Sequence, residues 1–262
     1  EGIKLKILAV GDIVGEAGIK ELKKELNQIR QQEEIDFVIV NGENAADGMG
    51  LIEKQYRQIL ALGTDIVTMG NHTWAKKDIF NFIEDERIVR PANYSKNNPG
   101  KGYRIVECKT NGKKVAVINL IGRVTMGVLS DNPFTKAKEI VQKIRNDVDI
   151  IVIDMHAEAT AEKIALYHYL DGEANIVFGT HTHVQTADEE ISKLGTGFIT
   201  DLGMTGPISS VIGMDIKTSI KRFETSLPEK YKIAEGDAKL NGCIFELDDN
   251  SNKVVSIKRC NA

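Results

Sequence analysis

The chain is poor in cysteine. Only Cys108, Cys243 and Cys260 occur in 262 residues. They are odd in number and far apart, and no two form a CxxC pair. That argues against a disulfide framework, excludes a zinc ribbon and points to a reducing compartment. Long apolar runs are also missing: none approaches the ~18 residues that span a bilayer. No signal-peptide pattern opens the sequence, so a cytoplasmic protein without membrane contact is expected. An excess of one charge is absent too. Lys plus Arg total 34 and Asp plus Glu 38, a net charge of −4. There is no general electrostatic drive toward nucleic acid, and only a local site could bind it. Repeats, low-complexity tracts and linkers are lacking. With 42 % hydrophobic and 27 % charged residues, the composition is that of a folded globular domain, not a disordered chain.

What is present is an alternation of short β-branched runs and amphipathic stretches. Ile3 to Val10, Phe37 to Val40, Ile66 to Met69, Ile150 to Asp154 and Ile176 to Phe178 read as strands. Gly18 to Gln32 carries Ile19, Leu22, Leu26 and Ile29 at helical spacing. Ile52 to Leu62, Pro133 to Asn146 and Thr160 to Leu170 read as further helices. Tyr103 to Cys108 and Val115 to Leu120 flank Asn111-Gly112, a hairpin signal. Glu190 to Ser192, Gly197 to Asp201, Cys243 to Leu247 and Val254 to Lys258 add β structure. The expectation is one α/β domain over 1–262. Its less regular segment, Thr205 to Leu240, holds a short helix near Asp215 to Phe223 and is the candidate lid or cap.

Polar residues recur where strands end. Asp12 follows the first strand, Glu43 and Asn44 the second, Asn71 and His72 the third. His156 follows Ile150 to Asp154, and His181 and His183 follow Ile176 to Phe178. In open α/β sheets ligands bind at the carboxyl ends of strands, so loops distant in sequence can converge there. Four of the five histidines fall at such ends, and only His168 lies inside a helix. Each element has a plainer reading: Asp12 as a turn residue, Asn71 as a helix cap, His156 as a satisfied core histidine. Together they form a set of imidazole, carboxylate and carboxamide without thiolate. Seven donors, Asp12, Glu43, Asn44, Asn71, His156, His181 and His183, exceed what one tetrahedral ion takes. They suit two ions, with iron, manganese or zinc favoured over magnesium or calcium. Two divalent cations bring +4 against −2 from Asp12 and Glu43, which favours an anionic substrate such as phosphate. The His181-x-His183 pair, if extended, places both rings on one face. Trp74, Thr182, Thr205 and Arg123 are weaker candidates for substrate contact. For Trp74 packing, and for both threonines a structural role, is the plainer reading; Arg123 reads equally as a surface residue.

These residues resemble the calcineurin-like metallophosphoesterases. The order Gly11-Asp12, Gly42-Glu43-Asn44, Gly70-Asn71-His72, His156 and Thr180-His181-Thr182-His183 follows that family's pattern. Val14 stands where the family has a metal-binding histidine, and Glu43 where it has the bridging aspartate. With GDIVG, NGENAADG, GNHTW, DMHAEAT, GTHTHVQTAD and DLGMTGP, the chain is similar to the YmdB-type branch. The resemblance implies a two-sheet β-sandwich flanked by helices and two divalent or mixed-valence ions, iron foremost. It assigns Asp12, His183 and Asn44 to one ion, Asn71, His156 and His181 to the other, and Glu43 to both. It makes His72 the general acid opposite a metal-bridging hydroxide, a task suited to imidazole because it titrates near neutrality. The implied activity is hydrolysis of cyclic nucleotides, 2′,3′-cyclic AMP foremost, or of other phosphodiesters. Nucleic acid stays open as a substrate, and a homo-oligomer is compatible with the resemblance. Two other readings compete: a phosphomonoesterase such as a nucleotidase or protein phosphatase, and a regulatory protein in RNA turnover or signalling that works by binding.

Overall fold

The side-chain pattern along each strand decides what that strand packs against. The computed structural model describes residues 4–262. Its first strand, β1, spans Lys4–Val10; Ile3, expected to open it, lies outside the described residues. After β1 come β2 (Asp12–Ile13), α1 (Gly15–Gln32), β3 (Phe37–Asn41), α2 (Glu53–Ala61), β4 (Ile66–Thr68) and β5 (Ile88–Val89). The middle of the chain supplies β6 (Tyr103–Glu107), β7 (Lys114–Ile121), α3 (Pro133–Ile144), β8 (Ile150–His156), α4 (Thr160–Tyr169), β9 (Ile176–Thr180), β10 (Glu190–Ile191) and β11 (Gly197–Ile199). Then follow β12 (Met204–Pro207), α5 (Ile216–Thr225), β13 (Ala238–Lys239), β14 (Asn241–Asp248) and β15 (Val254–Asn261).

Two six-stranded sheets form, in the orders β15-β14-β1-β3-β4-β5 and β10-β11-β9-β8-β7-β6. Parallel pairs fill the centre of each, β1 with β3 and β4 in one, β7 with β8 and β9 in the other. Antiparallel strands close three of the four edges, among them the expected β6–β7 hairpin around Asn111-Gly112, and β5 closes the fourth in parallel with β4. Leu5, Ile7 and Ala9 of β1, Phe37 and Ile39 of β3, Val115 and Val117 of β7 and Ile150 and Val152 of β8 share one core between the sheets. The alternate residues face outward. Leu8, Val10, Val38 and Val40 meet Ile19, Leu22 and Leu26 of α1 and Tyr56 and Ile59 of α2. Ala116, Ile118, Ile151 and Ile153 meet Ala137, Ile140 and Val141 of α3 and Leu166 and Tyr167 of α4. The expected sandwich with flanking helices is therefore the fold. Strands buried on both faces read as near-continuous apolar runs, which is why the parallel centre was visible in the sequence.

Boundaries moved by a few residues. α3 stops at Ile144 and starts at Pro133 behind Asn132, whose side-chain oxygen accepts from the amides of Phe134 and Thr135. Such a cap contributes about 1 kcal/mol. A 3-10 turn over Lys77–Asn81 was not anticipated. The irregular segment 205–240 supplies most of a third, small sheet, β13-β12-β2. It also holds α5, where only Ser219 is buried. Among the described residues no helix is long and apolar enough to cross a membrane.

Candidate metal centre at the strand ends

The inward parity of the parallel strands continues to their carboxyl ends, where it turns polar. Asn41 on β3, Thr68 on β4, Asp154 on β8 and Thr180 on β9 occupy the positions following the apolar residues of the inter-sheet core. All four are buried. They bond across the gap: Asp154 Oδ2 accepts from Thr68 Oγ1 (2.5 Å) and Asn41 Nδ2 (3.2 Å), and Asp154 Oδ1 from Thr180 Oγ1 (2.7 Å). This polar plug joins the sheets and carries the site above it. Burial pushes the Asp154 carboxyl up to about 6.

His156 closes β8 rather than following it, two residues beyond Asp154 and on the same face. Its Nδ1 meets Thr180 Oγ1 at 2.8 Å. Its Nε2 points into a cluster of Asn71 Oδ1 (2.8 Å), Glu43 Oε1 (3.1 Å) and His181 Nδ1 (3.2 Å). Next to this group lies a second. The Asn44 amide nitrogen sits among Glu43 Oε1 (3.2 Å), Asp12 Oδ1 (3.3 Å) and His183 Nε2 (3.1 Å). All seven predicted donors thus converge, and Glu43 Oε1 takes part in both groups. Asp12 opens β2, in register with Met204 of β12, so its plainer reading as a turn residue does not hold.

The His181-Thr182-His183 segment also departs from expectation. It is not extended. His181 has φ 102° and His183 φ 65°, a left-handed backbone that non-glycine residues rarely adopt. Strain of this kind persists where surroundings over-determine it, and it clusters at functional sites. The holding contacts are visible. The His181 amide donates to Asp12 Oδ2 (3.2 Å) and the Thr182 amide to Asp201 Oδ2 (3.2 Å). His183 Nδ1 meets the Ile212 carbonyl at 2.8 Å, which leaves its Nε2 toward Asp12 and Asn44. His181 Nε2 reaches Glu158 Oε2 at 3.1 Å.

The electrostatics favour a cation. Burial works to raise the Glu43 carboxyl, but His156 and His72 outweigh it and hold it well below the usual range. Burial likewise opposes charge on His156, yet Glu43 and Asp12 raise it to about 9. Burial and then His156 press His181 down to about 3, so its lone pair is available for bonding. Positive charge is therefore welcome between Glu43 and His156. The ligand atoms of Glu43, His156 and His181 lie within 4.8 Å of one another. In the second group three acceptors surround the Asn44 amide, and half a turn of that amide would add its oxygen as a fourth donor. The donor set fits metal ions in both groups.

Gly70 explains how the donors approach so closely. A Cβ there would lie 2.4 Å from both Glu43 Oε2 and His156 Nε2. Gly70→Ala is expected to weaken metal retention by about 10- to 100-fold, the usual cost of disturbing a ligand's support. Metal content after dialysis against a graded chelator measures it; a wild-type profile would contradict the crowding described here.

His72 stands apart from the donors. Its Nδ1 meets Asn44 Oδ1 at 2.7 Å, its amide donates to Glu43 Oε2 at 2.8 Å, and its side chain is 30 % exposed. It lines a cavity of about 350 Å³ over the site, together with Glu43, Asn44, His181 and His183. Trp74 packs instead of facing that cavity, stacked on Phe80 at 5.7 Å. Thr205 is buried against Asn241, and Arg123 is exposed, with its amide on Glu162. The sequence reading missed Asp154, Glu158, Lys163 and Asp201. Asp154 left a signal, a carboxylate inside an apolar strand two residues from His156. Lys163 left none.

Known proteins resemble the chain along nearly its whole length. The family model described as YmdB-like protein matches residues 8–260. A Bacillus subtilis protein named 2′,3′-cyclic-nucleotide 2′-phosphodiesterase is 49 % identical over 256 residues, covering 97 % of this chain and 96 % of that protein. A solved Mycoplasma pneumoniae structure, described as a novel phosphatase, superposes with TM-score 0.94 at 37 % identity, covering 100 % of this chain and 94 % of the other. A hypothetical protein from Thermus thermophilus superposes with TM-score 0.91 at 37 % identity, covering 98 % of this chain and 99 % of the other.

Proposed function

The chain belongs to the YmdB-like protein family, and on that premise we propose that it is a metal-dependent phosphodiesterase opening 2′,3′-cyclic nucleotides, 2′,3′-cyclic AMP foremost. The observation that carries this reading is the convergence of seven nitrogen and oxygen donors beneath a cavity that His72 also lines. The name of the Bacillus subtilis relative supports the diester over the monoester. Asp12, Asn44 and His183 would hold one ion, Asn71, His156 and His181 the other, and Glu43 both. Two divalent ions there, iron foremost and manganese or zinc as substitutes, would acidify water and neutralise phosphate charge.

The chain's own residues do the rest. The Asn44 side-chain amide fixes the His72 ring through Nδ1, and Glu43 anchors the His72 backbone. Nε2 of His72 has no hydrogen-bond partner among the described residues and is the atom that gives its proton to the leaving ribose O2′. Water's oxygen forms the new bond to phosphorus, the P–O2′ bond breaks, and the product is the 3′-monophosphate. Thr180 and Asp154 orient His156 from below, the support that ligating imidazoles require. A cytoplasmic setting accords with the free thiols Cys108, Cys243 and Cys260.

The test is a substrate panel. Protein loaded anaerobically with iron or manganese is offered 2′,3′-cyclic nucleotides, 3′,5′-cyclic nucleotides, bis-p-nitrophenyl phosphate and nucleoside monophosphates. Cleavage of the diesters, fastest for 2′,3′-cyclic AMP, is expected. Faster release of phosphate from the monophosphates would replace this reading with the phosphomonoesterase one.

A further inference from the structure

The cavity over the site has an ionic floor and a roof of a different kind. The floor is the donor set with His72. The roof comes from the loop after Asn44 and from the segment 205–240, and it consists of Met49, Ile212, Met214, Tyr231 and Arg222. Hydrolysis of a phosphodiester as such needs no apolar surface. Yet Met49 is 41 % and Ile212 48 % exposed at the mouth of an otherwise polar site. Tyr231 is held in place: its ring lies against Gly48, where a Cβ would come within 2.4 Å of Tyr231 Cε1 and where φ is +78°. Arg222 projects from α5, exposed, and its guanidinium has no hydrogen-bond or ion-pair partner among the described residues.

A fixed aromatic ring, thioethers and a planar guanidinium are the groups on which nucleobases stack. A cavity of about 350 Å³ lies in the range of small-molecule sites. We propose that the roof is a nucleobase subsite, in which Tyr231 and Arg222 recognise the base while the phosphate rests on the floor. This rests on the nucleotide reading above and adds to it the residues that would set substrate choice. It also gives the segment 205–240 a role in recognition, carried by Ile212, Met214, Arg222 and Tyr231, where the sequence suggested a lid or cap.

Equilibrium binding tests it without turnover. Metal-loaded protein is titrated calorimetrically with adenosine 3′-monophosphate and with glycerol 2-phosphate, which carries a phosphate monoester but no base. The wild-type chain is expected to prefer the adenosine ligand by about 10- to 100-fold, the contribution of one stacked base. Tyr231→Ala and Arg222→Gln should each reduce that ratio by about ten-fold, and Tyr231→Phe, which keeps the ring, should keep it. Equal affinities in the wild-type chain, or an unchanged ratio in both variants, would overturn the proposal. The two readings fail separately. Base-dependent binding without hydrolysis of any cyclic nucleotide removes the catalytic reading and leaves the subsite. Hydrolysis of glycerol 1,2-cyclic phosphate as fast as 2′,3′-cyclic AMP, with no base preference in binding, removes the subsite and leaves the catalytic reading.

Discussion

Replacing His72 by alanine is expected to lower kcat for 2′,3′-cyclic AMP by about two to four orders of magnitude, the usual contribution of a positioned general acid. The reason is the leaving group. Ribose O2′ departs poorly as an alkoxide and needs a proton as the P–O bond breaks. A nitrophenolate does not, so His72→Ala should cost bis-p-nitrophenyl phosphate far less. Metal content should be unchanged, because His72 reaches the donor set only through hydrogen bonds to Asn44 and Glu43. Equal losses on both substrates would show that His72 orders the site and does not donate the proton.

The second large effect is on stability. Lys163 of α4 and Asp201 after β11 form an ion pair at 2.7 Å, and both side chains are fully buried. Asp201 also accepts from the amides of Thr182 (3.2 Å) and Gly203 (2.8 Å). Lys163→Met would leave a buried carboxylate without its counter-charge, a loss of about 3–5 kcal/mol. For a chain of this length that is a fall in Tm of about 6–20 °C, measured by calorimetry on protein at matched metal occupancy. Lys163→Met combined with Asp201→Asn should recover part of it, since the amide oxygen still accepts from Thr182 and no charge is stranded. A single variant that melts with the wild type would mean that Asp201 is neutral or hydrated in the folded chain.

How much of this was legible in the sequence follows from the physics of each part. The donors Asp12, Glu43, Asn44, Asn71, His156, His181 and His183 were readable because polar residues break apolar strands abruptly, and each break lies at a carboxyl end. The sandwich was readable because strands buried on both faces are continuous apolar runs. The backbone of His181 and His183 was not readable. Its left-handed turns are imposed by Asp12, Asp201 and Ile212, all remote in sequence, and not by local propensity. Lys163 was hidden for the same reason. On a helix it looks like an outward lysine, and only the position of Asp201 turns it inward. Arg222 and Tyr231 lie in the segment whose irregular punctuation obscured its packing.

The hydrogen bond between His183 Nδ1 and the Ile212 carbonyl joins the floor of the cavity to its roof, and it does so through a β-branched residue at φ 47°. Ile212 has no inherent preference for that conformation, so the orientation of His183 and the position of the roof are set jointly. Binding equilibria at two such sites are reciprocal. If an ion on His183 tightens the hold on a nucleotide by some factor, the nucleotide must tighten the hold on the ion by the same factor. Occupancy of the metal centre is then governed by the supply of nucleotide as well as the supply of metal.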